Sequence, residues 1–142
     1  PDLPQSEVRR LMRDVPDNIG RSIIEIWSGP EFAARAARSP VTGPGLAAVT
    51  AAQDARRPVV LVTGHIGNYD AARAAMIARG FPVGALYRLM EDPGFNAEYV
   101  RAINAVGTPM FPRGRRGMAE MLRFFRGGGM LAFAIDQHMP HG

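Results

Sequence analysis

Residues Val59 to Val62 form a short, continuous apolar run, Val-Val-Leu-Val, with no alternating polar side chains. Such a run is typical of a strand buried on both faces, as strands in parallel sheets are. A glycine-containing segment follows it, and a helical pattern then extends from Tyr69 to Arg79. A strand that leads directly into a helix predicts a βαβ unit, so the chain needs a sheet with helices packed over it.

The alternation of strand and helix patterns continues along the rest of the chain. Further strand patterns lie at 82–87, 108–111 and 130–135, and further helical patterns at 96–106 and 117–126. Residues 1–57 lack strand signals and carry helical patterns at 21–28, 31–38 and 46–55. We therefore predict an α/β fold with a mostly parallel sheet and flanking helices, preceded by N-terminal helices.

We predict one domain overall, in which a helical segment at residues 1–57 packs on an α/β core at residues 58–142. The chain opens at a proline and ends just behind the strand predicted at 130–135. We therefore expect the core to be incomplete and the chain to be truncated at both ends.

Composition restricts the classes of function. The absence of cysteine excludes a disulfide framework, a thiolate metal site and a cysteine nucleophile. All 17 basic side chains are arginines, and with 13 acidic residues they give a formal net charge of +4. That balance favours anionic partners such as nucleic acid, phospholipid head groups or acidic carrier proteins. No nucleotide-binding glycine fingerprint follows the first strand, which argues against a nucleotide or nucleic-acid module.

The first predicted strand ends in the segment Gly64 to Asp70, Gly-His-Ile-Gly-Asn-Tyr-Asp. This places His65 at the carboxyl end of a parallel strand, where ligands of such sheets bind. With Asp70 in the first helical turn, its carboxylate can return to one ring nitrogen of His65 and leave the other as a base. Gly64 and Gly67 permit the positive φ and the close backbone approach of such a turn. The alternative is that His65 only satisfies a carbonyl at the strand end.

This segment resembles the motif of the lipid A biosynthesis acyltransferases, the late lauroyl and myristoyl transferases within the lysophospholipid acyltransferase group. That group carries a histidine, four residues and then an acid. Leu86-Tyr87-Arg88 is similar to a family strand that ends in Tyr-Arg-Pro, although Leu89 replaces the proline. Arg113 to Gly117 resembles the family's arginine-bearing loop, and Ile135-Asp136-Gln137 resembles the Asp-Gln pair that ends the next strand. The resemblance spans residues 21–142.

The resemblance implies a glycerolipid acyltransferase-like fold and an O-acyltransferase. This enzyme would move a fatty acyl chain from an acyl carrier protein thioester to a hydroxyl of a lipid A precursor. It implies catalytic roles for His65, as general base, and Asp70, as its partner. The serines all lie in the N-terminal helical part and cysteine is absent, so we predict direct attack without an acyl-enzyme. The alternative acceptor is another glycolipid or a lysophospholipid, reached by the same chemistry.

The expected partners are acyl carrier protein, a glycolipid or phospholipid acceptor and a membrane surface, with no nucleic acid. The expected location is the cytoplasmic face of the bacterial inner membrane, with the anchoring segment outside this chain. No cofactor and no metal are expected. His138 and His141 are three residues apart, but we interpret them as loop residues because no third ligand accompanies them.

Five polar residues are predicted to bind the substrate or the developing oxyanion: Asn68, Arg88, Arg113, Asp136 and Gln137. The fork of an arginine suits phosphate or an oxyanion, which favours Arg88 and Arg113 for this role. The alternatives are surface arginines at these positions and a turn cap at Asp136 and Gln137. Arg115 and Arg116 are equally consistent with a phosphate cradle and with a solvated run of charge.

Overall fold

The computed structural model describes residues 2–137. It contains six helices and four strands within that range: α1 (Gln5–Trp27), α2 (Gly29–Ala37), α3 (Leu46–Asp54), β1 (Val59–Thr63), α4 (Tyr69–Ile77), β2 (Val83–Tyr87), α5 (Pro93–Val106), β3 (Met110–Pro112), α6 (Arg115–Arg126) and β4 (Met130–Ala134). The predicted α/β class with N-terminal helices is confirmed. The helix predicted at 21–28 is the last part of the longer α1. The division of the chain at residue 58 stays a prediction.

The four strands form one parallel sheet in the order β1-β4-β2-β3. Strand β4 is last in the sequence and pairs with the first strand, with Val59 opposite Met130 and Thr63 opposite Ala134. It pairs with β2 on its other side, where Val83 lies opposite Met130. The polypeptide that follows β1 and the polypeptide that follows β4 therefore emerge side by side at the carboxyl edge.

Apolar packing covers one face of the sheet and, over β2, β3 and β4, the other face as well. On one face, Val83 and Met130 are fully buried and pack with side chains of α3 and α4, including Leu46 and Met76. On the other face, Met121 of α6 packs against Phe111 and Leu131. A third cluster joins Phe32 and Ala36 of α2 to Ala74 of α4 and Val106 of α5.

The prediction that β1 is buried on both faces is wrong. Val59 and Leu61 pack into the core, but Val60 and Val62 are 51% and 61% exposed. The physical reason is position, because β1 is an edge strand and successive side chains point to opposite faces. The cluster formed by α6 covers β2, β3 and β4, and no described residue covers the outer face of β1.

Candidate active site

A cavity of about 340 Å³ opens at the carboxyl edge of the sheet, between the strand ends, α4 and α5. Its lining includes residues that the sequence assigns to the site, and these come from four separate parts of the chain: His65, Asp70, Arg88, Arg113 and Gln137. The floor is made of small side chains, Ala85, Ala132 and Ala134, which leave room for a ligand. Convergence of polar groups over an apolar floor is the usual form of a small-molecule site.

The loop between β1 and α4 holds His65 against the loop that follows β4. The ring Nδ1 lies 2.7 Å from Oδ1 of Asp136, and the backbone N–H of His65 donates to Oδ2 of the same carboxylate at 2.7 Å. Both carboxylate oxygens of Asp136 therefore bond to His65. The Nε2 atom of His65 has no hydrogen-bond partner within residues 2–137.

These two hydrogen bonds lower the pKa of Asp136 below its ordinary value, the bond with the ring of His65 being the larger cause. An ionised carboxylate only accepts hydrogen bonds, so in the neutral imidazole the proton is on Nδ1 and the lone pair is on Nε2. Since the pKa of Asp136 is lowered on folding, the stability from this pair is present above about pH 4. It is lost as the pH falls through the lowered pKa of Asp136.

The sequence predicts that His65 bonds to Asp70, and this prediction is wrong, because the carboxylate that bonds to His65 is that of Asp136. Oδ1 of Asp70 instead accepts from Nε and Nη2 of Arg73 at 3.1 and 3.0 Å. The reason is that residues three apart are neighbours on one helix, and Asp70 lies in the first turn of α4. Asp70 still lines the cavity, and its catalytic role stays a prediction.

Arg73 joins this carboxylate to the end of a second helix. Its guanidinium also donates to the carbonyl oxygens of Gly107 and Ile103, at 2.7 and 3.2 Å, where α5 ends. Asp70 and Arg73 are only 7% and 4% exposed. The network thus fixes α4 to the end of α5 at the wall of the cavity, and it pairs the two buried charges with each other.

Gly64 and Gly67, on either side of His65, have the two different roles that the sequence predicts. Gly67 has a φ of +58°, in the left-handed region that favours glycine. At Gly64, a Cβ would lie 3.2 Å from Oδ2 of Asp136, so the missing side chain permits the close approach of the carboxylate. The loop therefore presents His65 to Asp136 without crowding.

Asn68 does not line the cavity. Its Oδ1 accepts from the backbone N–H of Ala71 at 3.2 Å and so caps α4, and its Nδ2 donates to Oε2 of Glu25 at 2.7 Å. The other oxygen of Glu25 accepts from Arg35 at 2.9 Å. Both ends of the Asn68 amide are thus occupied by protein groups, and the substrate contact predicted for this residue has no support in this arrangement.

The two arginines predicted at strand ends both line the cavity. Arg88 makes one long contact of 3.4 Å with the exposed Glu91. The backbone N–H of Arg113 donates to the carbonyl of Tyr87 at 2.9 Å, while its guanidinium has no partner within residues 2–137. Arg115 and Arg116 lie outside the lining, at the start of α6.

Three tyrosines of the lining were missed by sequence reasoning: Tyr69, Tyr87 and Tyr99. The ring of Tyr69 meets the ring of His65 edge to face, with centroids 5.2 Å apart. Burial raises the pKa of Tyr69 and of Tyr99, so both keep the proton that lets a phenol donate. Tyr69 lies within the Gly64–Asp70 motif, so its position could have indicated a role in the site. No spacing pattern indicates such a role for Tyr99.

Within residues 2–137, no group of three histidine or acidic side chains is arranged to hold a metal ion. His138 and His141 lie outside the described residues. None of the helices in the described part of the chain is both long and apolar enough to cross a membrane.

A family model for the bacterial lipid A biosynthesis acyltransferases matches residues 1–142, the whole of the chain. The chain belongs to this family. It is therefore an O-acyltransferase, with an acyl donor and a lipid acceptor as substrates, of a membrane-associated family. No curated protein matched the chain significantly. In this acyltransferase His65, Arg88, Arg113 and Gln137 line one cavity, whereas Asp136 is outside the lining and contacts it through His65.

The Asp70–Arg73 pair predicts a large effect on stability. Asp70→Ala should lower the free energy of unfolding by about 3–5 kcal/mol, because it leaves Arg73 buried without its carboxylate. The double variant Asp70→Leu/Arg73→Met should regain much of this loss, since it removes both charges. Asp54→Ala, at an exposed aspartate at the end of α3, is the control, and its free energy of unfolding should stay close to the wild-type value. Urea unfolding that leaves Asp70→Ala as stable as wild type would contradict the assignment.

Proposed function

We propose that this acyltransferase moves a fatty acyl chain from an acyl carrier protein thioester to a hydroxyl of a lipid A precursor. His65 acts as the general base and Asp136 holds its ring. The observation that carries the proposal is the hydrogen bond between Nδ1 of His65 and Asp136, which leaves Nε2 with its lone pair in a residue that lines the cavity. The alternative acceptor is another glycolipid or a lysophospholipid, and the chemistry is the same.

The reaction proceeds by direct attack. Nε2 of His65 takes the proton of the acceptor hydroxyl as its oxygen bonds to the thioester carbonyl carbon. Asp136 stabilises the imidazolium that forms, because its carboxylate accepts from Nδ1. When the tetrahedral intermediate collapses, the carbon–sulfur bond breaks and the imidazolium returns the proton to the leaving thiolate. The products are an ester and a free thiol, and His65 is neutral again.

The negative charge that develops on the carbonyl oxygen needs donors inside the cavity. Arg113 is the best placed, because it lines the cavity and its guanidinium has no hydrogen-bond or ion-pair partner within residues 2–137. The protonated phenol of Tyr69 stands beside the ring of His65 and is a second donor. Arg88, at the end of the neighbouring strand, suits a phosphate of the acceptor.

An acyl-enzyme is not part of this mechanism. Thr63 is the one non-aromatic hydroxyl of the lining, and its Oγ1 donates to the carbonyl of Gly64 at 3.2 Å. Its hydroxyl proton is thus bonded to a backbone carbonyl and not to an imidazole or a carboxylate that could take it. Mixing the enzyme with donor alone should therefore yield no acylated protein.

Substitution of the two site residues tests the mechanism. His65→Ala should abolish transfer, and Asp136→Asn should lower kcat roughly 10²- to 10⁴-fold, because an amide no longer fixes the tautomer or stabilises the imidazolium. Asp54→Asn, at the exposed end of α3, is a matched control and should keep the wild-type rate. The assay follows thiol release with acyl carrier protein thioester and a lipid A precursor. Full kcat in Asp136→Asn would contradict the role of that carboxylate.

We also propose a membrane surface as a partner of the enzyme, at the cytoplasmic face of the bacterial inner membrane, and helix α1 supports the contact with a membrane surface. Six apolar side chains share one side of this helix and are between 36% and 72% exposed; we call them the α1 stripe: Val8, Leu11, Met12, Val15, Ile19 and Ile23. No residue of α1 is buried, and arginines stand on its other faces. An exposed apolar stripe with basic flanks is typical of a helix that lies in a lipid interface.

The C-terminal end of α1 reaches the site. Trp27 packs against Phe95 with centroids 5.8 Å apart, and Phe95 stacks on Tyr99, which lines the cavity. Glu25 holds the loop of the catalytic histidine through Asn68. A lipid surface under α1 would therefore lie close to the cavity, where a lipid acceptor must enter.

If the α1 stripe binds lipid, one charge added within it should weaken that binding. Ile19→Asp should weaken binding to anionic phospholipid vesicles about tenfold or more, because it loses an apolar side chain and adds a charge in the interface. Asn18→Asp adds the same charge on the adjacent polar side and should change binding little. Vesicle sedimentation gives the partition of each variant. Equal binding of both variants would show that lipid is not the partner of the stripe.

A further inference from the structure

Helix α6 presents a basic face that the mechanism does not use. Arg115, Met118, Leu122 and Arg126 follow one another at three- and four-residue spacing, so they share one side of the helix. All four are exposed, with Met118 at 39% and Leu122 at 43%. Arg123 is also exposed beside this line. We call these five residues the α6 face.

No acidic side chain among residues 2–137 pairs with the arginines of the α6 face. Helix α6 has one acidic residue, Glu120, and this carboxylate pairs with Arg116 at 3.0 Å. Arg115, Arg123 and Arg126 have no ion-pair partner within residues 2–137. The first turn carries two arginines and no acid, although the positive end of a helix favours the reverse. The helix dipole therefore accounts for Arg123 and Arg126 in the last turn but not for Arg115 in the first.

The α6 face is continuous with the active site. Arg113, which lines the cavity, precedes Arg115 by two residues and is held to β2 through its backbone bond to Tyr87. From Arg115 to Arg126 the face extends about 16 Å at the usual helical rise. A partner that lies along α6 therefore has one end at the mouth of the cavity.

We propose that the α6 face is the docking surface for the acidic carrier protein that delivers the acyl thioester. This inference rests on the proposed function. Planar guanidinium forks pair with carboxylates in two-point contacts, and an unpaired basic patch steers an acidic protein towards the site. A lipid surface fits less well here, because only two apolar side chains are exposed among the arginines, whereas the α1 stripe has six.

The test is the charge-reversal double variant Arg115→Glu/Arg126→Glu, assayed with two donors that carry the same acyl chain. One donor is the acyl carrier protein thioester, and the other is a small uncharged thioester. With the carrier protein, KM should rise on the order of tenfold with kcat unchanged, and the salt dependence of kcat/KM should weaken. With the small thioester, both constants should stay at wild-type values. Arg57→Glu, an exposed arginine before β1, is the control and should behave as wild type with both donors.

Three results would overturn the docking surface. The first is an unchanged KM for the carrier protein, and the second is an equal loss with both donors, which would place the defect in the fold or the cavity. The third is a variant that loses binding to anionic vesicles while its carrier kinetics stay intact, which would make α6 a lipid contact. If wild type transfers from neither donor, the proposed function fails instead. Titration with isolated carrier protein then decides the docking surface, because the double variant must bind it more weakly than Arg57→Glu does.

Discussion

The parallel pairing of β1 with β4 is the constraint on which the site depends. Thr63 and Ala134 lie opposite each other at the ends of these strands, and the backbone N–H of Ile135 donates to the carbonyl of Thr63 at 3.1 Å. His65 and Asp136 each follow two residues after that pair. Because both residues lie two positions beyond this pair, Nδ1 of the imidazole and Oδ1 of the carboxylate come within 2.7 Å, although the residues are 71 positions apart in sequence.

Asp70 and Asp136 lie in different environments and have different roles near the cavity. Asp70 is buried and bound to Arg73, so it ties α4 to the end of α5 and supports the wall. Asp136 is exposed and, within residues 2–137, its carboxylate bonds only to His65, so its charge acts on the imidazole. The carboxylate nearer in sequence to His65 therefore stabilises the fold, and the distant one holds the ring.

Much of this arrangement could be predicted from the sequence. The strand and helix periods predict the α/β class, and carboxyl ends of parallel strands gather their side chains, so His65, Arg88, Arg113 and Gln137 were expected at one edge. The partner of His65 could not be predicted in this way, because it depends on strand order and β4 is distant from β1 in the chain. The exposure of one face of β1 could not be predicted for the same reason, because an apolar run does not show whether its strand lies at the edge or the centre of a sheet.

The hydrogen bond between Nδ1 of His65 and Asp136 is the central claim, and proton NMR of the imidazole tests it most directly. A proton held between Nδ1 and a carboxylate should give a low-field resonance, assigned through its loss in His65→Gln. We predict that this resonance persists in Asp70→Asn and disappears in Asp136→Asn. A resonance that survives in Asp136→Asn and disappears in Asp70→Asn would contradict the account.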